Sequence, residues 1–243
     1  MHGFGFAVIM LLTLACCRAE TLRLCLDDQE GADGEAGLQQ DPNLAVMQAL
    51  ARETGIQMEF HRRAWLRCQM ELRANMWDGA VAASYAPDRL EFAVYPMAHG
   101  QADPVRRLGV HSYSLYRLRG SSVGWDGKRF TGINGLVGVQ FGYSVTVPMQ
   151  EAGLRLDDST RSITQLMQKL LNERVEAIAL ITWDGDRMLD LHPEWAARVE
   201  RVDPPVMLKP DYLIFSRGFY SKKRALAEKL WSTLPAVRDA LGQ

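Results

Sequence analysis

The chain predicts an α/β protein built from two successive units. Three observations carry this. Between Thr21 and Ala83 the sequence alternates strand-like and helix-like segments in the order β-α-β-α-β, the pattern of a parallel sheet with helices on its faces. Between Leu136 and Ile181 the same logic returns. The chain has 243 residues, 47% of them hydrophobic and 23% charged. That is enough to bury one large core or two smaller ones, and it lies outside the compositions of disordered, collagen-like and multi-span membrane chains.

The first segment stands apart. Phe4 to Cys17 reads FGFAVIMLLTLACC. This run is shorter than the roughly 20 residues of a membrane span and suits the apolar region of a secretory signal. Residues 1–19 are therefore expected to be a signal peptide cut after Cys17-Arg18-Ala19. The alternative is a lipoprotein cut, with Cys16 or Cys17 lipidated and the same domain tethered to a membrane. Either way the protein is expected to be exported, and periplasmic. Of the four cysteines, Cys25 and Cys68 lie beyond the signal. An even pair in an exported chain predicts one disulfide, with two buried free thiols as the alternative.

The remaining elements follow in order. Thr21–Leu26 alternates and predicts a strand, and a Gly-, Asp- and Glu-rich loop follows to Gln40. Asp41-Pro42 opens a helix, with Asp as N-cap and Pro at the first position. Leu44, Met47, Leu50 and Ala51 form its apolar stripe and Gly55 stops it. Ile56–His61 predicts a strand. Trp65–Met76 predicts a helix with Trp65, Cys68, Leu72 and Met76 on one face. Gly79–Ala83 predicts a strand of small, buried residues. Leu108–Leu118 predicts a long strand, Leu136–Gln140 another, and Ser144–Glu151 a short helix. Ile163, Leu166, Met167, Leu170 and Leu171 fall at helical spacing. Val175–Ile181 and Tyr212–Phe215 predict strands. Ser221 is expected to cap a last helix that Pro235 bends or ends.

Charge and motifs narrow the function. Lys and Arg total 28 against 29 Asp and Glu, a net charge of −1, which provides no electrostatic footprint for nucleic acid. No two of the five histidines share a metal-ligand spacing, and no cysteine pair forms CxxC. No Gly-rich phosphate loop and no Ser-His-Asp order is legible. The chain is expected to carry no cofactor and no metal, to act as a monomer, and not to be an enzyme. Glu173 and Glu176 flank a strand start, the wrong end for a cleft, and His111 reads as a structural histidine on a long strand.

A set of motifs in order resembles a known family. They are the opening strand LRLCLDD; the helix and strand NLAVMQALARETGIQMEF; Trp65 and Leu72 followed by Trp77-Asp78-Gly79-Ala80; and Ala83-Ser84-Tyr85-Ala86-Pro87-Asp88-Arg89, similar to an S-x-T-P-E-R loop. The second unit adds Val137–Ser144, like V-G-V-x-x-G-T-S, and Arg174–Ala177, like G-R-V-D-A. Together these resemble the extracellular solute-binding proteins of family three, the polar amino-acid type serving ABC importers. The resemblance implies a two-lobed clamshell of type II, each lobe a mixed sheet flanked by helices. It implies two hinge strands near Arg107–Leu115 and Lys209–Ser216. Residues 20–108 and 216–243 would form the first lobe and residues 109–215 the second.

The resemblance also implies a ligand site. Arg89 would hold a ligand carboxylate through paired hydrogen bonds, with the Ser84 hydroxyl at the same edge. Trp65 would stack on the ligand, and Tyr85 is a second candidate wall. Asp27, at the end of the first strand, would meet a cation or ammonium. Gly142, Tyr143 and Ser144 precede a short helix whose free N–H groups favour an anion. Ile181 stands where the family carries an ammonium-pairing Asp, with Asp184 three residues on, and QEGADGEAG replaces an aromatic-Pro-Phe segment. A standard α-amino acid, a carboxylate without an ammonium, and a different small molecule therefore all stay open. The implied partner is an ABC permease. An orphan or sensor module signalling to a membrane partner is the alternative, and a dehydratase-like enzyme on the same scaffold is a third reading.

Overall fold

The computed structural model describes residues 21–28 and 41–242. The expected signal peptide, the lipoprotein cysteines and the polar segment over 29–40 lie outside the described residues.

The elements run β1 (Thr21–Asp27), α1 (Pro42–Thr54), β2 (Gln57–Arg63), α2 (Trp65–Arg73), β3 (Gly79–Ser84), β4 (Ala93–Val94), β5 (Met97–Ala98), β6 (Gln101–Ala102) and β7 (Gly109–Leu118). They continue with β8 (Gly124–Trp125), β9 (Phe130–Thr131), β10 (Leu136–Gln140), α3 (Thr146–Glu151), β11 (Arg155–Thr160), α4 (Ile163–Leu171), β12 (Ala177–Ile181), α5 (Thr182–Leu191), α6 (Pro193–Ala196), β13 (Val199–Ser216) and α7 (Arg217–Ala240).

Two strands tie the molecule together. One sheet path runs β11-β10-β12-β7-β13-β3-β1-β2, with β4 paired to β13. The β1/β2, β1/β3, β10/β11 and β10/β12 pairs are parallel, whereas β7 and β13 run antiparallel to their neighbours. The early part of β13, Val199–Val202, pairs with the end of β7, and its last residues pair with β3 and β4. One unbroken strand therefore leaves the second unit and enters the first, as a hinge strand must.

Each lobe has core on both faces of its sheet. In the first, Leu22, Leu24, Val46, Met47 and Leu50 pack with Leu230, Trp231 and Leu234 of α7. On the opposite face Cys25, Cys68, Leu72, Trp77 and Tyr95 form a second cluster. The Cys25–Cys68 disulfide forms, with Cα atoms 5.8 Å apart, and joins β1 to α2. The second lobe repeats the plan, with Val137, Val139 and Met149 in one cluster and Leu166, Met167, Leu170 and Ile178 in the other.

Most sequence expectations meet their elements, and the exceptions are instructive. Asp41 caps α1 by accepting from the Asn43 and Leu44 amides, and Gly55 ends it at φ 70°. The second helix stops at Arg73, so Met76 lies beyond it and is 56% exposed. The last helix starts at Arg217, because the Ser216 hydroxyl accepts from the Phe219 amide; Ser221 lies inside it, just before a non-helical residue at Lys223. Pro235 lies within a helix that continues to Ala240. Helices α5 and α6 had no counterpart in the sequence reading. Tyr212 to Phe215 are the end of an 18-residue strand, and their side chains pack in the first-lobe clusters. At Asp211 this strand pairs with both Gly109 of β7 and Ser84 of β3, and beyond it the partners are β3 and β4.

Candidate functional site

The cleft lies where strand ends of both lobes meet the hinge strands, the place where open α/β sheets hold ligands. A cavity of about 490 Å³ occupies it. From the first lobe come Asp27, Asp41, Trp65, Ser84 and Arg89; from the second come Tyr143, Ser144, Ile181 and Trp183; His111, Ser112 and Asp211 come from the hinge strands. This size and mixed lining are typical of small-molecule sites.

A seam of hydrogen bonds crosses between the lobes beside this cavity. The Ser84 and Ser144 hydroxyls are 2.8 Å apart. Arg89 Nη2 donates to the Gly142 carbonyl at 3.5 Å, and Lys209 Nζ donates to the Ser144 carbonyl at 2.9 Å. The Tyr143 hydroxyl donates to Asp27 Oδ2. Gly142 reaches its place at φ 84°, a left-handed conformation that glycine adopts freely.

Local sequence explains how these groups arrive. Ser84 ends β3, two residues after Ala82, whose φ of 61° is strained for a residue with a Cβ. There the pairing with β13 slips between Tyr212 and Ile214, a bulge of the kind that re-aims side chains. Arg89 sits in a short 3-10 turn opened by Pro87 and is only 3% exposed. Its Nη1 donates to the Ser84 carbonyl at 2.7 Å, and its guanidinium lies 5.2 Å from the Trp65 ring centre.

The sequence-nominated residues divide accordingly. Asp27, Trp65, Ser84, Arg89, Tyr143 and Ser144 border the cavity. Tyr85 and Gly142 do not border it. Tyr85 lies one residue past Ser84 and packs edge-on against Tyr95, 5.4 Å between ring centres, while Gly142 serves the seam through its carbonyl. Among the cavity residues that the sequence reading did not nominate are Asp41, Arg107, Ser112 and Trp183; two more are Asp211, within a strand seen only in part, and His111, read as structural. No local motif marks either, because strand pairing brings them together across 100 positions.

Asp27, Trp65 and Tyr143 also border a smaller pocket of about 250 Å³, together with Gln140, Arg161 and Asp184. The Asp27–Tyr143 bond thus partitions the cleft. Burial raises the Asp27 carboxyl to about 6, offset in part by hydrogen bonds from Tyr143 and the Asp28 amide. Burial, with the nearby charges of Asp27 and Asp41, raises Asp184 to about 8. Burial and the Asp27 charge hold the Tyr143 hydroxyl well above its usual range. Ile181, by contrast, borders the main cavity, so an apolar side chain and not the Asp184 carboxyl lines it there.

No family model matches the chain, and no curated protein matches it by sequence. Solved structures do match. A histidine kinase sensor domain similar to periplasmic binding proteins aligns over 92% of both chains at 14% identity, with a TM-score of 0.70. The substrate-binding protein of an amino-acid ABC transporter aligns over 92% of this chain and 94% of that one, at 13% identity and TM-score 0.62. An ancestral amino-acid-binding protein, described as a precursor of cyclohexadienyl dehydratase, aligns over 91% and 93%, at 16% identity and TM-score 0.62. The fold is that of the two-lobed periplasmic-binding-protein-like domains, and it occurs in binders, a sensor and a dehydratase precursor alike.

Proposed function

We propose that this protein is an exported, monomeric solute-binding protein that captures one small polar molecule between its lobes without turning it over, and that it serves an ABC importer in the periplasm. The observation that carries this is the cavity of about 490 Å³ at the hinge, lined from both lobes by buried polar side chains. Closure on a ligand of that size would draw on both lobes and both hinge strands, which is how a clamshell couples binding to shape. The disulfide suits an oxidising compartment.

A second reading, a sensor domain whose closure signals to a membrane partner, is favoured by the sensor-domain match over 92% of both chains. The genes flanking this one separate the two: a permease and an ATPase support import, a kinase supports sensing.

The test of binding itself is a thermal-shift screen against amino acids, oxo acids, dicarboxylates and polyamines. A compound at about 100 times its dissociation constant adds about 2.7 kcal/mol of stability. A clear shift is expected from at least one compound class, and a flat response across all of them removes the proposal. Turnover of the stabilising compound, followed by mass spectrometry, would replace a binding protein with an enzyme.

A further inference from the structure

The polar side chains that border the main cavity are for the most part held by other protein groups. The Ser84 hydroxyl meets that of Ser144, and Arg89 donates to the Ser84 and Gly142 carbonyls. Asp27 accepts from Tyr143, Asp41 accepts from two amides of α1, and Asp211 Oδ1 lies 2.8 Å from His111 Nδ1. The Ser112 hydroxyl donates to Thr182, and Arg107 donates to the Pro104 carbonyl. The apolar side chains around the same space are the opposite case. Val110 borders the cavity and is 53% exposed. Ile181 and Trp183 border it and are half-buried. Val110 and Trp183 belong to none of the four core clusters of the described residues. A single apolar residue on an open surface needs no explanation, but several around one cavity make a wall for something to cover. The chain shows how two of them arrive. Strand β12 ends at Ile181 and helix α5 begins at Thr182, which sets residues 181 and 183 at the edge of the second-lobe sheet where such folds hold ligands.

We propose that the ligand carries an aromatic or branched apolar body, and that Trp183 and Ile181 are the second-lobe residues that select it. The inference rests on the binding function proposed above and deepens it, since the molecule is then polar at one end only. Trp65 of the first lobe and Val110 of the hinge complete the wall. An apolar body that touches all four leaves water against both lobes at once, so its burial favours closure as well as binding. A second charged group fares badly in the same place. It must break a hydrogen bond that the protein already makes or stay unpaired in the cavity, and an unpaired buried charge is costly. The polar end has the Asn43 carboxamide, which borders the cavity with its Oδ1 beside Gly109.

The test is isothermal titration calorimetry on the wild-type protein with three matched series, so that no head group is assumed. L-phenylalanine and L-leucine are set against L-alanine and L-aspartate, phenylpyruvate against pyruvate and 2-oxoglutarate, and phenethylamine against putrescine. In whichever series binds, the apolar members are expected to bind at least roughly tenfold more tightly than the others. A small or doubly charged member that binds as tightly as its apolar counterpart overturns this inference alone. Trp183→Ala is expected to weaken the apolar members roughly tenfold and to spare the small ones. Ile181→Asp, which sets a carboxylate in the wall, is expected to reduce the same advantage. Unchanged affinity for the apolar members in both variants overturns the selecting role of the second lobe. Circular dichroism checks that each variant folds, and the wild-type ranking decides the ligand class whether or not they do. No binding by any compound to the wild-type protein overturns the reading beneath it, and this inference with it.

Discussion

Along the seam, Ser84 meets Ser144 and Arg89 meets the Gly142 carbonyl, each from opposite lobes. At the hinge, a short way across the same cleft, His111 and Asp211 meet each other and leave Nε2 buried without a partner among the described residues. The two regions use similar chemistry for different ends. Groups on the seam are complementary to the other lobe and join the two. Groups at the hinge pair with each other along the two strands that join the lobes. Of the residues that carry the resemblance, Asp27, Ser84, Arg89, Gly142, Tyr143 and Ser144 lie on the seam, so that part of the resemblance reports how the lobes meet.

Four sets of substitutions test this division through stability, from the largest expected effect to the smallest. The first concerns charge buried behind the seam. Burial raises the folded-state Asp184 carboxyl from 3.8 to about 8, so the folded protein keeps a proton that the unfolded chain has released. Between about pH 4 and pH 8 the unfolded state binds fewer protons, and stability falls as pH rises through that window. Asp27, raised to about 6, acts in the same direction over the lower part of it. Asp184→Asn is expected to stabilise the protein by about 5 kcal/mol at pH 8 and to leave it unchanged at pH 3, read from urea melts at both values. Equal effects at the two would remove ionisation as the cause.

The second is the Cys25–Cys68 bond. It ties β1, which ends in Asp27, to α2, which begins with Trp65, across a sequence separation of 43. Replacing both cysteines with serine is expected to remove about 4 kcal/mol. A loss confined to the first lobe in hydrogen exchange would show that the seam tolerates loosening on one side.

The third and fourth act on the seam directly. Arg89→Ala takes away a buried cation that donates to the Ser84 and Gly142 carbonyls, and it is expected to lower stability by about 2–3 kcal/mol. Ser144→Ala removes one hydroxyl contact and is expected to lower it by about 1 kcal/mol. Ser84→Ala should match it, and the double variant should fall short of the sum, because both lose the same bond. Additive losses in chemical denaturation would mean that the two hydroxyls do not meet in solution.

Much of the fold was legible in the sequence. The Asp41-Pro42 start, the Gly55 stop and the period of Ile163 to Leu171 are local signals, and each places an element where the structure has one. Elements without such a signal were missed. Helix α5 starts at Thr182 with no side-chain cap, directly after the apolar strand β12, so a continuous apolar run passes into the helix without punctuation. The start of α7 was misplaced because two serines compete for the cap, and only the geometry shows Ser216 accepting from the Phe219 amide.

The site divides in the same way. Six of the eight nominated ligand residues border the cavity, because the strand ends that carry them are visible as strand ends. His111 and Asp211 were not recognisable as a pair, since neither lies in a motif and the contact spans 100 positions. The sequence by itself determined the α/β order, the pairing partners available to two cysteines, and which residues stand at the edge of each sheet, because these follow from short-range periodicity and composition. Only the tertiary structure decided which of those residues satisfy one another across the lobes, and that His111, beside the cavity, keeps one buried nitrogen without a partner among the described residues. Hydrogen-bond satisfaction is a property of atoms brought together from distant strands, and no local pattern encodes it.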